Sequence, residues 1–301
     1  MAALFNKRFL LKVVSFISVI RGYNILVLVL AQYLTSMFIL ASDKPLREVL
    51  FDPNLFFLVL ASASAIASGY IINNFYDGGK DLINRPHKTM LDRFVSERTK
   101  LSVYFILNLT SIFFASYVSF RTVVFFSLYI FMIWLYSHRI KRLLFLGTLV
   151  STILVITPLF AIFIYYKNFD TVIFVHASFL CILVVMKELL KDLQNLKGDL
   201  LQGYRTIPAV YGEGLTKRLL GGLTLLSTIP VYFLIFHFEI GHMDLFFKGA
   251  LLLMVVFLIV LFFFNVPWQY LLLYNLLKLV IVGGVFGILL IDINTLINRV
   301  F

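Results

Sequence analysis

Apolar runs of similar length, broken by short polar turns, dominate the chain. A helix rises about 1.5 Å per residue, so about 20 apolar residues cross a hydrocarbon core. Nine stretches have that character: residues 23–41, 55–72, 101–120, 123–137, 143–166, 172–186, 219–237, 245–264 and 269–291. The fourth and sixth are short. The pattern predicts an all-α, polytopic membrane bundle of about nine transmembrane helices, forming one domain over residues 1–301. Two connections are long, 73–100 and 187–218, and both are polar and carry both charge signs. The others are tight turns, and Arg121 alone nearly separates the third span from the fourth.

Composition strengthens this reading. Hydrophobic residues make up 61% of the chain and charged residues 14%, against about 25% charged in soluble domains. That is too little charge to cover a soluble surface, so lipid must supply much of the solvent. The net charge is +11. In a soluble protein it would suggest nucleic acid, but here the basic residues stand in loops between spans, where they set membrane orientation. Nineteen Lys and Arg lie on the side of the N-terminus and the two long connections, six on the other side, and Lys278 lies within a span. The bias predicts a cytoplasmic N-terminus, both long connections in the cytoplasm and the C-terminus outside. The lone cysteine, Cys181, sits in an apolar run, which excludes a disulfide framework or a cysteine metal site. No small-residue cleavage site follows the basic N-terminus, so no removable leader is expected.

The chemistry is concentrated in the two long connections. The first opens with Asn73, Asp77 and Asp81, four residues apart. At about 100° per helical residue they form one narrow stripe just beyond the second span. The second carries Glu188, Asp192, Asn195 and Asp199, which on a helix fall within an arc of about 60°. Such oxygen rows suit Mg²⁺, which takes a few carboxylates together with water and substrate phosphate. A charged stripe beyond a membrane helix is commonly only a solvated face. Two of them, at span ends on one membrane side and in the only two long connections, point instead to a pair of metal ions bracketing a diphosphate. Gly78 and Gly79 argue the same way, since each costs about 1 kcal/mol in a helix relative to Ala.

These residues resemble the UbiA superfamily of intramembrane prenyltransferases over essentially the whole chain. Asn73, Asp77 and Asp81 stand as the family's first motif, continued by Asn84, Arg85, Pro86, His87 and Lys88. The second motif reads Asp192, Asn195, Gly198 and Asp199, followed by Gly203, Thr206, Ile207, Pro208 and Gly212. The segment from Tyr136 to Arg142 is similar to a turn between the fourth and fifth spans, and Arg21, Gly22, Tyr23 and Asn24 to the first-span start. Two departures stand out: Asn195 replaces a usual Asp, and Asn74 sits where Asp is common. The first-span start is similar to that of the geranylgeranylglyceryl-phosphate geranylgeranyltransferase branch.

The resemblance implies a helical bundle around a central cavity, capped on its cytoplasmic side, in a bacterial or archaeal cytoplasmic membrane. It also implies a prenyl diphosphate donor, a lipophilic or aromatic acceptor, membrane lipid as surroundings and Mg²⁺ as cofactor. On this reading Asp77, Asp81, Asp192 and Asp199 carry catalysis, and with Asn73 and Asn195 they hold the metal. Lys88, Lys141 and Arg142 would contact phosphate oxygens. Polar residues within spans are costly and therefore informative. Arg21, Asn24 and Gln32 fall within about 80° on a helical wheel, and Lys278 lies about 15 Å into the ninth span. Arg21, Asn24 and Lys278 are assigned to an acceptor head, which their charge makes anionic. An anion transporter is the alternative from another class, and an inactive prenyl-diphosphate-binding relative is a third.

Overall fold

The computed structural model describes residues 2–264, 266 and 268–291, with side chains from Leu11 onward. The predicted C-terminal tail, including Arg299, lies outside the described residues. Among the described residues there is no strand, and nine helices are long and apolar enough to cross a membrane.

Helix α1 spans Ala2–Ile20 and is separated from α2, Gly22–Thr35, by Arg21 in the left-handed region at φ 51°. A π-helical turn, Ser36–Leu40, extends α2 to the length of a span. After the short α3, Leu46–Leu50, α4 runs from Pro53 to Asn84. At 32 residues it is about 48 Å long, well beyond a hydrocarbon core of about 30 Å. The first long connection thus begins as the continuation of α4. Pro86 ends it: Arg85, the residue before the proline, leaves the helical region, and Pro86 starts α5, Pro86–Asp92.

Helix α6 spans Glu97–Val118 and α7 spans Phe120–His138. The turn between them is made by Ser119, not Arg121. Ser119 is extended, and its hydroxyl accepts the Thr122 N–H at 3.2 Å, so a side-chain cap decides the boundary and Arg121 joins the first turn of α7. Ser96 caps α6 in the same way. A 3₁₀ turn, Ile140–Arg142, leads to α8, Leu146–Tyr166. Helix α9 spans Thr171–Leu201 and absorbs the first part of the second long connection; the short sixth apolar run is the first half of a 31-residue helix. Helices α10, Ile207–Phe236, α11, Met243–Phe263, and α12, Gln269–Gly287, complete the order.

The chain groups into two compact units: residues 1–29, 53–143 and 197–204 form one, and 30–52, 144–196 and 205–301 the other. In the first, α4 packs against α6 and α7 through a buried face of Ala61, Ala65, Ser68 and Ile72. Ser111 of α6 donates to the Ala61 carbonyl at 2.8 Å. In the second, Leu183, Met186, Leu220, Phe247, Phe257 and Leu273 form the core. There Gln32 is fully buried and donates to the Pro158 carbonyl at 2.9 Å. It therefore joins helices within that unit, whereas Arg21 and Asn24 belong to the first unit.

Candidate active site

The polar end of α4 places Asn73, Asp77 and Asp81 on one helical face, as their spacing requires. The 3₁₀ turn after α7 brings Lys141 to that face. Its ammonium lies 2.7 Å from Asp77 Oδ1 and 3.4 Å from Asn73 Oδ1. A cation thus already sits where these two oxygens converge. Hard oxygen donors in this arrangement fit Mg²⁺.

The same unit contains the end of α9. Gly203, at φ 67°, turns the chain there, and the Tyr204 N–H donates to the Asp199 carbonyl at 2.9 Å. The turn aims the Tyr204 hydroxyl at Asp77 Oδ1, to which it donates at 3.3 Å. Lys80 Nζ lies 4.6 Å from the centre of the Tyr204 ring and Arg142 Cζ 5.3 Å from it. Lys80 also forms an ion pair with Asp199. Burial, then the negative charge of Asp77, raises the Tyr204 pKa, so Tyr204 serves as a neutral donor and not as a base. Asn84 accepts the Gly198 N–H at 3.0 Å, and a Cβ at Gly198 would collide with Asn84 Nδ2. The end of α4 and the end of α9 are locked together at that glycine.

A second group of cations stands nearby in the same unit. Arg21 Cζ lies 5.1 Å from the Tyr70 ring centre, and Asn24 Nδ2 donates to the Tyr70 hydroxyl at 3.2 Å. Lys88 Nζ lies 3.7 Å from Asp92 Oδ2. Burial, then the charge of Arg21, lowers the Lys88 pKa, with Asp92 and Asp81 opposing. Buried Asp92 also accepts from Ser18 at 3.0 Å and from Asn74 at 2.9 Å, while Lys100 donates to Asn74 Oδ1 at 3.0 Å. The amide of Asn74 both gives and takes a hydrogen bond here, which a carboxylate cannot do.

The second unit holds Asp192, Asn195 and Lys278. Asp192 is half-buried, Asn195 buried, and Lys278 Nζ lies 5.8 Å from the Tyr274 ring centre. Glu188 does not extend the oxygen row as an open donor: its carboxylate takes the Lys191 ammonium at 2.6 Å. Among the described residues, no three His, Cys, Asp or Glu side chains stand together as a ready-made metal set. Lys141 holds Asp77 and Lys80 holds Asp199.

A family model described as the UbiA prenyltransferase family matches residues 29–270. The chain belongs to this family. It is therefore a prenyltransferase and an integral multi-pass membrane protein, and the anion-transporter alternative falls. It is 25% identical over 247 residues to a digeranylgeranylglyceryl phosphate synthase of Methanobrevibacter smithii, covering 76% of this chain and 81% of that one. A synthase of the same name from Thermococcus sibiricus is 28% identical over 198 residues, covering 65% and 68%. Among solved structures, a UbiA homolog from Archaeoglobus fulgidus bound to GPP and Mg²⁺ has a TM-score of 0.65 at 12% identity, covering 91% of this chain and 99% of that one. A UbiA homolog from Aeropyrum pernix in its apo form has a TM-score of 0.65 at 13% identity, covering 86% and 97%. These likenesses establish the helical membrane fold.

Within the first unit of this UbiA-family chain, Asn73, Asp77, Lys141 and Arg142 gather around one tyrosine, and Asp199 joins them through Lys80. Arg21 and Asn24 meet on Tyr70. Sequence reasoning missed Tyr204, Tyr70 and Lys80. Lys80 was visible between Asp77 and Asp81, and Tyr204 directly after a motif glycine, but neither repeats a spacing that reading by periodicity selects.

Proposed function

We propose that residues 1–301 act as one Mg²⁺-dependent transferase moving a geranylgeranyl chain from its diphosphate to geranylgeranylglyceryl phosphate. The observation that carries this reading is the Asp77 carboxylate held jointly by Lys141 and Tyr204 at the end of α4. Support for the acceptor comes from relatives named digeranylgeranylglyceryl phosphate synthase, and from Arg21, a cation suited to a phosphate head. Support for the metal comes from the oxygen donors of the first stripe and from a fold neighbour holding GPP with Mg²⁺.

In the transfer, the bond between C1 of the prenyl chain and the diphosphate oxygen breaks and a bond from C1 to the acceptor hydroxyl oxygen forms. Diphosphate leaves and the hydroxyl proton is lost. Mg²⁺ would supply charge neutralisation for the departing diphosphate, and Asn73, Asp77 and Asp81 of the first stripe would hold it. Lys141 and Arg142 give charge-assisted contacts to phosphate oxygens. Arg21 and Asn24 orient the acceptor head. The apolar interior keeps water from the allylic cation. The basic-residue bias supports a cytoplasmic N-terminus and a site open to the cytoplasmic side.

The test is purified protein in liposomes with geranylgeranyl diphosphate and either geranylgeranylglyceryl phosphate or a hydroxybenzoate, with Mg²⁺ or excess chelator. The expected result is a doubly geranylgeranylated glyceryl phosphate by mass spectrometry, with Mg²⁺ and the lipid acceptor only. Prenylated hydroxybenzoate alone would refute the acceptor assignment.

A further inference from the structure

Lys80 lies inside the first motif but pairs with the second, through Asp199. Asp199 has no accessible surface and the Lys80 side chain is 9% exposed. The ammonium also lies 4.6 Å from the ring centre of Tyr204, whose hydroxyl donates to Asp77. One cation is therefore built into the wall of the site, between a fully buried carboxylate and an aromatic face.

Mg²⁺ keeps several coordination positions for water and substrate oxygens and dehydrates reluctantly. A carboxylate with no accessible surface offers no such positions while its lysine stays in place. Expelling Lys80 would leave its buried ammonium without its carboxylate, which is strongly unfavourable. Asp81, which is half-buried, differs from Asp199 in this respect, whereas Asp77, 13% exposed, has its own buried lysine, Lys141. The stripe that carries Asp199 is also short of one charge, because Asn195 is a neutral amide.

We propose that Asp199 keeps Lys80 as its counter-cation when the donor binds, so that a fixed ammonium replaces one of the two divalent ions that paired stripes imply. The inference rests on the reading of this site as a Mg²⁺-dependent prenyl diphosphate site. It makes Asp199 a partner of Lys80 and leaves the divalent ion to the other oxygen donors of the site.

The experiment counts metal ions. The full chain in lipid nanodiscs is saturated with the unreactive thiolo analogue of geranylgeranyl diphosphate and titrated with Mn²⁺, with free Mn²⁺ read by electron paramagnetic resonance. The expected count is one Mn²⁺ per chain for the unaltered protein and for Lys80→Arg, and two for Lys80→Met, where Asp199 is released. A count of two, or of none, in the unaltered protein overturns the proposal. So does a count of one in a monodisperse Lys80→Met. If Lys80→Met does not fold, the unaltered and Lys80→Arg counts decide, and two in either is contrary. Product formation is measured on the same samples. Its absence at every Mn²⁺ level breaks the transferase reading and leaves the metal count to judge this one.

Discussion

Lys141 Nζ lies 2.7 Å from Asp77 Oδ1, with both side chains largely buried. The pair ties the turn after α7 to the first motif and puts a positive charge at the carboxylate expected to face the donor. Asp77→Ala removes that carboxylate and strands Lys141 and the Tyr204 hydroxyl. Transfer should fall by at least about 100-fold, the usual scale for losing a preorganised electrostatic group, while membrane insertion is kept. Turnover in proteoliposomes, alongside size-exclusion profiles, checks this. Near-normal turnover would remove Asp77 from the site.

Asn74→Asp should destabilise the protein. The change places a second carboxylate against buried Asp92 where an amide donor now stands 2.9 Å away. The lost hydrogen bond and the repulsion together cost about 1–3 kcal/mol. The apparent melting temperature should drop, and adding Asp92→Asn should restore most of it by reversing donor and acceptor. A melting temperature equal to that of the unaltered protein would contradict the network.

Gly198→Ala should weaken the same unit. The new Cβ collides with Asn84 Nδ2, and overpacking of this kind costs about 1–3 kcal/mol. Asn84→Ala added to Gly198→Ala should recover part of the loss by opening space. Thermal unfolding of the two variants tests whether the contact is the cause.

Lys88 gives a pH signature. Its folded pKa is lowered from 10.5 by burial and then by Arg21. Between the lowered value and 10.5 the unfolded chain binds more protons than the folded one, so this group makes folding stability rise with pH across that window. Its charge toward an anionic ligand is lost over the same rise. Lys88→Arg keeps the charge, so the alkaline fall in kcat/KM should move to higher pH. An unchanged alkaline limb would exclude Lys88 as its source.

Arg21→Ala should raise the acceptor KM far more than the donor KM. Loss of one charge-assisted hydrogen bond costs about 1.5–3 kcal/mol, a factor of about 10–150. Steady-state kinetics with each substrate varied in turn gives the answer. A change confined to donor KM would reassign Arg21 to the diphosphate.

The spans were legible because hydrophobicity of membrane length is a local property, and the motif stripes because a four-residue spacing repeats. What escaped depends on other information. Ser119 rather than Arg121 ends α6 because capping outweighs charge at that turn. The long connections became helix because polarity does not forbid helix beyond the membrane. The departure at Asn74 became intelligible only when Asp92 and Lys100, 18 and 26 residues away, were found on its two ends. The role of Lys80 depends on Asp199, which no local spacing connects to it.

The most direct test of the proposed chemistry is lipid extraction and mass spectrometry from cells supplied with both substrates. Cells expressing the unaltered chain should accumulate digeranylgeranylglyceryl phosphate, and cells expressing correctly inserted Asp77→Ala should match cells without the protein. Equal accumulation from Asp77→Ala, or none from the unaltered chain at comparable membrane levels, would contradict the account.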